Sequence, residues 1–123
     1  MLKWVTLHLN EGEFEGKRIV SKEAMQQMHK PQMLLTAPLD MPMEETEFWC
    51  YGLGWFVESF RGHKIVHHGG NINGFSGFTC FVPDLNLGVF VSANMNVTLL
   101  ADALVQQTVD MALGETDGNW FAR

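Results

Sequence analysis

From Tyr51 to Ala93 the chain adopts a period of two, interrupted at short intervals by turn residues. This run constrains the fold more than any other feature. Leu53, Trp55 and Val57 alternate with Gly52, Gly54 and Phe56, which predicts a strand starting at Tyr51. A turn at Arg61-Gly62 precedes a short second strand, His63 to His68. A third is predicted from Phe75 to Val82. Pro83-Asp84-Leu85-Asn86 then turns the chain into a fourth, Leu87 to Ala93, rich in Val and Phe. Connections this short imply antiparallel pairing, because a parallel crossover needs about a dozen residues or more.

Helical patterns flank this run. Leu2, Val5 and Leu9 share one helical face, widened by Trp4 and Leu7. No Ser, Asp or Asn cap precedes them, the pattern expected of a chain that begins partway through a helix. Asn10-Glu11-Gly12 ends this helix, and Gly16-Lys17-Arg18 marks a turn. A second helix has a clear start: Ser21 caps it, Glu23 suits its dipole, and Val20 can staple to Met25. Met25 and Met28 should face inward, and Pro31 stops the helix.

Residues 31 to 49 read as irregular. Pro31, Pro38 and Pro42 forbid a continuous helix, while Met33, Leu34, Leu35 and Leu39 call for burial. The segment is expected either to cover a site or to pack on something else. The last element is a helix over 97 to 113, capped by Asn96 and ended by Gly114. Its predicted apolar stripe is Val97, Leu100, Leu104 and Met111, with Ala101 and Val105 alongside. At roughly 25 Å it could cross four strands. The expectation is one domain over 1–123 of the α+β class. It has an antiparallel sheet of about four strands, N-terminal helices and one long C-terminal helix.

Charge narrows the function. Eight Lys and Arg face fourteen Asp and Glu, a formal charge of -6, and the cations are scattered. Nucleic-acid binding, which needs a basic stripe, is excluded, and an anionic membrane surface is disfavoured. No apolar run approaches the length of a membrane span, and the first ten residues do not read as a signal peptide. Cys50 and Cys80 sit outside any C-x-x-C; two buried thiols are the simpler reading, a disulfide the alternative.

The chemistry-bearing stretch is His67-His68-Gly69-Gly70-Asn71-Ile72-Asn73-Gly74-Phe75. Glycine pairs let backbone approach a ligand closely, and a histidine beside them can donate a proton near neutral pH. With Tyr51-Gly52-Leu53-Gly54-Trp55 before it, and Pro83-Asp84 and Leu87-Gly88-Val89-Phe90-Val91-Ser92-Ala93-Asn94 after it, the chain resembles the serine beta-lactamase-like hydrolases. These include class C beta-lactamases, penicillin-binding proteins, D-aminopeptidases and esterases. Leu113-Gly114-Glu115 and Asn119-Trp120 resemble the C-terminal edge of that family.

The resemblance implies acyl transfer without metal or cofactor. It places an H-x-G motif on His68-Gly69-Gly70. His68 would orient substrate and tune a proton relay. Gly69, Gly70 and Asn73 would adjoin substrate, with Gly70 leaving the strand edge bare. The Asn71 backbone N–H would be an oxyanion donor. It also implies a parent that is often bacterial and extracytoplasmic.

The departures are as informative. The family nucleophile sits in S-x-x-K, but three residues after Ser21, Ser59, Ser76 and Ser92 stand Ala24, Gly62, Thr79 and Met95. The only tyrosine, Tyr51, is followed two on by Leu53, so Y-x-N is absent too. The chain therefore reads as a C-terminal portion of such a hydrolase, inactive alone. The competing reading is an assembly module that self-associates, by domain swapping or otherwise, or docks on the remainder of its parent. Three other readings are weaker. A zinc site at His63, His67 and His68 lacks further ligands. A phosphate cradle at the glycines lacks a following helix. An independent hydrolase pairing His68 with Asp84 or Glu58 lacks a nucleophile. Asn96-Val97-Thr98 also fits a glycosylation acceptor, although capping explains the same Asn.

Overall fold

The computed structural model describes residues 1–36, 46–115 and 120. Helix α1 (Leu2–Leu9) leads into a small hairpin, β1 (Glu13–Phe14) and β2 (Lys17–Arg18), and then helix α2 (Lys22–Met28). Strands β3 (Met33–Leu34), β4 (Thr46–Tyr51), β5 (Phe56–Phe60), β6 (His63–Ile72), β7 (Phe75–Val82) and β8 (Leu87–Ala93) follow, and helix α3 (Leu100–Leu113) comes last. The main sheet has order β3-β4-β5-β6-β7-β8, each pair antiparallel. The α+β class and the long final helix stand as expected. The sheet has six strands rather than four, because β3 and β4 arise inside the stretch read as irregular.

Two strand boundaries also differ. Tyr51 to Val57 is not one strand: residues 52–55 form the loop between β4 and β5. The Gly52 N–H donates to the Trp55 carbonyl at 2.7 Å, and the Leu53 N–H to the Met28 carbonyl at 3.1 Å. A Cβ on Gly52 would lie 2.5 Å from that Met28 oxygen, so glycine permits the loop to dock on the end of α2. In the other direction, β6 runs past His68 to Ile72, its glycines carried by pairing with β7.

The sheet is covered on both faces. On one, α1 and α2 pack through Val5, Leu9 and Met28 onto Trp55, Val57, Val66, Phe81 and Phe90. On the other, Ala101, Val105 and Val109 of α3 meet Phe60, Ile65, Phe78, Cys80 and Val82. Each fully buried Val, Ile or Phe side chain here contributes about 1.5–3 kcal/mol of transfer free energy. Ser21 caps α2 as expected, its Oγ accepting from the Ala24 N–H at 3.1 Å, and Met25 is buried. Gly114 ends α3 at φ 82; its N–H donates to Met111 and that of Glu115 to Asp110, a Schellman closure.

Other local expectations are corrected. On α1, Val5 and Leu9 pack inward as expected and Leu7 and His8 are buried, while Leu2 and Trp4 are exposed. Helix α3 starts at Leu100, where Thr98 Oγ1 accepts the Leu100 N–H; Asn96 is exposed and is not its cap. The stripe of α3 is rotated by one position: Val97, Leu100, Leu104 and Met111 are exposed. The small and β-branched Ala101, Val105 and Val109 face the sheet because the helix lies close to its large side chains. Met33 and Leu34 pair in β3 but keep their side chains exposed, while Pro38, Leu39 and Pro42 lie outside the described residues.

Cys50 and Cys80 are buried free thiols. They lie on β4 and β7, three strand spacings or about 14 Å apart, on opposite faces of the sheet. That exceeds the reach of a disulfide.

Candidate functional site on the open edge of strand β6

Strand β5 pairs with β6 only from His63 to His67, whereas β7 accompanies β6 through Ile72. From His68 onward the β5-side edge of β6 therefore has no neighbouring strand among the described residues. The structure brings His68, Gly69, Gly70 and Asn71 together on this edge and puts Asn73 in the turn beyond it, with Gly74 at φ 85.

The two glycines differ. Side chains alternate along β6, so Gly69 and Gly70 face opposite sides. A Cβ on Gly69 would lie 2.9 Å from the ring of Phe78 on β7. One on Gly70 would meet nothing within 4 Å. The absence of a side chain at 69 is thus a packing requirement, and at 70 it leaves open space.

His68 is held at both nitrogens. Its Nδ1 lies 2.6 Å from the Gly69 carbonyl oxygen, and its Nε2 lies 3.0 Å from the Tyr51 hydroxyl. A carbonyl only accepts, so Nδ1 carries the proton and Nε2 accepts from Tyr51. The ring also stacks on Phe56, centroids 5.4 Å apart. Sequence reasoning did not anticipate Tyr51 here. The available signal was that it is the only tyrosine and opens the Tyr51-to-Trp55 motif, whose loop returns β4 beside β6.

Asn71 has a structural side chain. Its Oδ1 lies 2.5 Å from Ser76 Oγ and accepts the Val97 N–H at 3.0 Å, tying β6 to the segment before α3. Ser76 Oγ also lies 2.7 Å from the Met95 carbonyl and accepts from the Thr98 N–H. Ser76 and Ser59 are buried, and Ser21 is a cap. None of these three lies beside a lysine in S-x-x-K spacing.

Behind the edge runs a column of stacked rings: Trp49 on Phe56 at 5.2 Å, Phe56 on His67 at 5.4 Å, His67 on Phe78 at 5.2 Å. His67, which precedes the H-x-G stretch, is largely buried in it, and His67 Nε2 is 3.5 Å from Glu58 Oε1. That distance would admit an ion pair, but burial opposes charging either group. It pushes Glu58 up to about 7 and, with His68 adding to it, His67 down to about 4. Neither has a hydrogen-bond partner, so burial keeps His67 neutral at neutral pH and holds Glu58 protonated up to about pH 7. His63 instead meets Asp84 at 2.5 Å. Among the described residues no three His, Cys, Asp or Glu side chains are grouped to hold a metal, so the three histidines do not converge as a zinc site.

An antiparallel sheet clad by helices on both faces, with a glycine-bared edge beside a fixed histidine, defines the class of fold. Comparison with known proteins agrees with it. The beta-lactamase family model matches residues 1–109, and the chain belongs to that family. A curated relative, the unguisins hydrolase ungD of Aspergillus violaceofuscus (strain CBS 115571), is 36% identical over 67 residues. That match spans 53% of this chain and 12% of the relative. The fold is similar to the octameric penicillin-binding protein homologue from Pyrococcus abyssi, with a TM-score of 0.75 at 20% identity, covering 92% of this chain and 23% of that one. The chain thus spans well under half the length of either protein.

Proposed function

We propose that this chain supplies the substrate-facing wall of a beta-lactamase-like acyl-hydrolase site and holds no nucleophile of its own. The observation that carries this reading is the bare edge of β6. An extended substrate can add to it as a further strand, with Gly70 giving it room. His68 borders the same edge with its tautomer set by Tyr51 and Gly69, the arrangement wanted of a group that orients a reacting carbonyl or relays a proton. The Asn71 backbone amide lies on this segment and is the oxyanion donor in this reading, a contribution of about 2.7–4 kcal/mol in acyl transfer. In the complete reaction a serine from elsewhere attacks an amide or ester carbonyl, an acyl-enzyme forms, and water releases the acid. Alone, the chain lacks the group that forms the new bond. Incubation with nitrocefin and p-nitrophenyl acetate tests this: hydrolysis should match buffer, and turnover lost on His68→Ala would show a complete site instead.

A second reading rests on a different observation. Leu100, Leu104 and Met111 are exposed along one face of α3, with Leu99 and Val97 at its start. An apolar face of this kind associates in water, which supports an assembly role. Light scattering separates the readings: a concentration-dependent dimer or larger supports assembly, and a monomer throughout opposes it.

A further inference from the structure

A second concave site lies on the α1/α2 face, toward the start of β6. Lys64 is six residues from Gly70, so about 20 Å of strand separates this place from the open edge. His8, Leu9, Met25, His29, Lys30 and Lys64 help to line a half-open cavity of about 180 Å³, with Glu11 and Pro83 also at its wall.

Its charges are unbalanced. Neither Lys30 nor Lys64 meets a carboxylate among the described residues. Burial holds Lys64 below the usual lysine range, and Lys30 pushes it further down. Glu11, the carboxylate in the lining, is already engaged by Lys22 at 2.5 Å and Gln26 at 3.1 Å. His8 is 3% exposed, with its Nδ1 2.8 Å from His29 Nε2 and its own Nε2 without a partner. Both lysines are exposed at the rim of the cavity, where an incoming anion meets two cations and no competing carboxylate partner among the described residues. The remaining wall, Leu9, Met25 and Pro83, is apolar.

We propose that this cavity binds a short-chain organic monocarboxylate, its carboxylate between Lys30 and Lys64 and its hydrocarbon body against Leu9, Met25 and Pro83. The apolar wall would be wasted on an inorganic anion. Helix α2 also brings its C-terminal end here, where partial negative charge opposes a dianion more than a monoanion.

The experiment is a titration of the 123-residue chain with sodium hexanoate at constant ionic strength, followed by the His8 and His29 ring signals and the lysine Nζ signals in NMR spectra. Acetate and inorganic phosphate run in parallel. Hexanoate should give saturable shifts confined to this cavity and bind about tenfold or more tightly than acetate, because each buried methylene adds about 0.8 kcal/mol. The exposed Lys30→Gln/Lys64→Gln double variant, its fold checked by circular dichroism, should abolish saturation. Shifts that never saturate, shifts unchanged in the double variant, or phosphate binding as tightly as hexanoate would each overturn the proposal.

Discussion

Gly69 and Gly70 are neighbours with opposite tasks, and their alanine variants should separate them. The Cβ of Gly69→Ala meets the buried Phe78 ring at 2.9 Å, and overpacking of this kind costs about 1–3 kcal/mol. Gly70→Ala adds a Cβ into open space at a backbone angle any residue adopts, and should leave stability unchanged or raise it slightly. Urea denaturation of the two variants checks the contrast. At His68, ring nitrogen shifts should report a proton on Nδ1, the tautomer that the Gly69 carbonyl demands. Tyr51→Phe removes the donor to Nε2 and should move that nitrogen's resonance while the fold persists. His68 was legible in the sequence because histidine beside paired glycines is a local pattern. Tyr51 was not, because its relation to His68 exists only once β4 and β6 are folded around the Gly52-to-Trp55 loop.

Among elements, hairpins were the most legible, since short turns leave only antiparallel pairing. The Arg61-Gly62 turn, with φ 48 and 77, is such a case. The buried face of α3 was harder to read. Leu and Met outweigh Ala and Val on any hydropathy pattern, yet the helix lies close to a sheet surface already filled by Phe60 and Phe78. β3 and β4 were missed because three prolines dominated that stretch. The contact of α3 with the β5–β6 turn is polar and buried. Asp110 is fully buried, its carboxylate accepting from Arg61 Nε at 2.8 Å and Trp120 Nε1 at 2.6 Å. Asp110→Ala should cost about 2–3 kcal/mol, less than a fully buried pair because Arg61 is partly exposed. Thermal denaturation would show it as a clear fall in Tm.

For the molecule as a whole, the buried titratable groups set the pH range of stability. Burial, joined at His29 and His67 by nearby charged groups, holds His8, His29 and His67 down from 6.5 to about 4. Their folded values lie below the unfolded one, so the stability they contribute is present above about pH 6.5 and is lost as pH falls through about 4. Glu58 is raised from 4.5 to about 7, so its contribution is full below 4.5 and is lost as pH rises through 7. Three histidines outweigh one carboxylate where the windows overlap, so stability should fall on acidification below pH 6.5. It should also decline modestly through pH 7, and Glu58→Gln should flatten that upper limb. Melts across pH 4 to 9 read both limbs.

At this scale the family membership agrees with the motif order in the sequence, but the chain matches only 12% and 23% of the relatives' lengths. The proposal to be tested is therefore chemical, that this part of the fold carries the wall of the site and lacks the attacking group. Labelling with a fluorophosphonate probe, read by intact mass and peptide mapping, tests it most directly. No adduct should form on Ser21, Ser59, Ser76 or Ser92; stoichiometric labelling of any one of them would contradict the account.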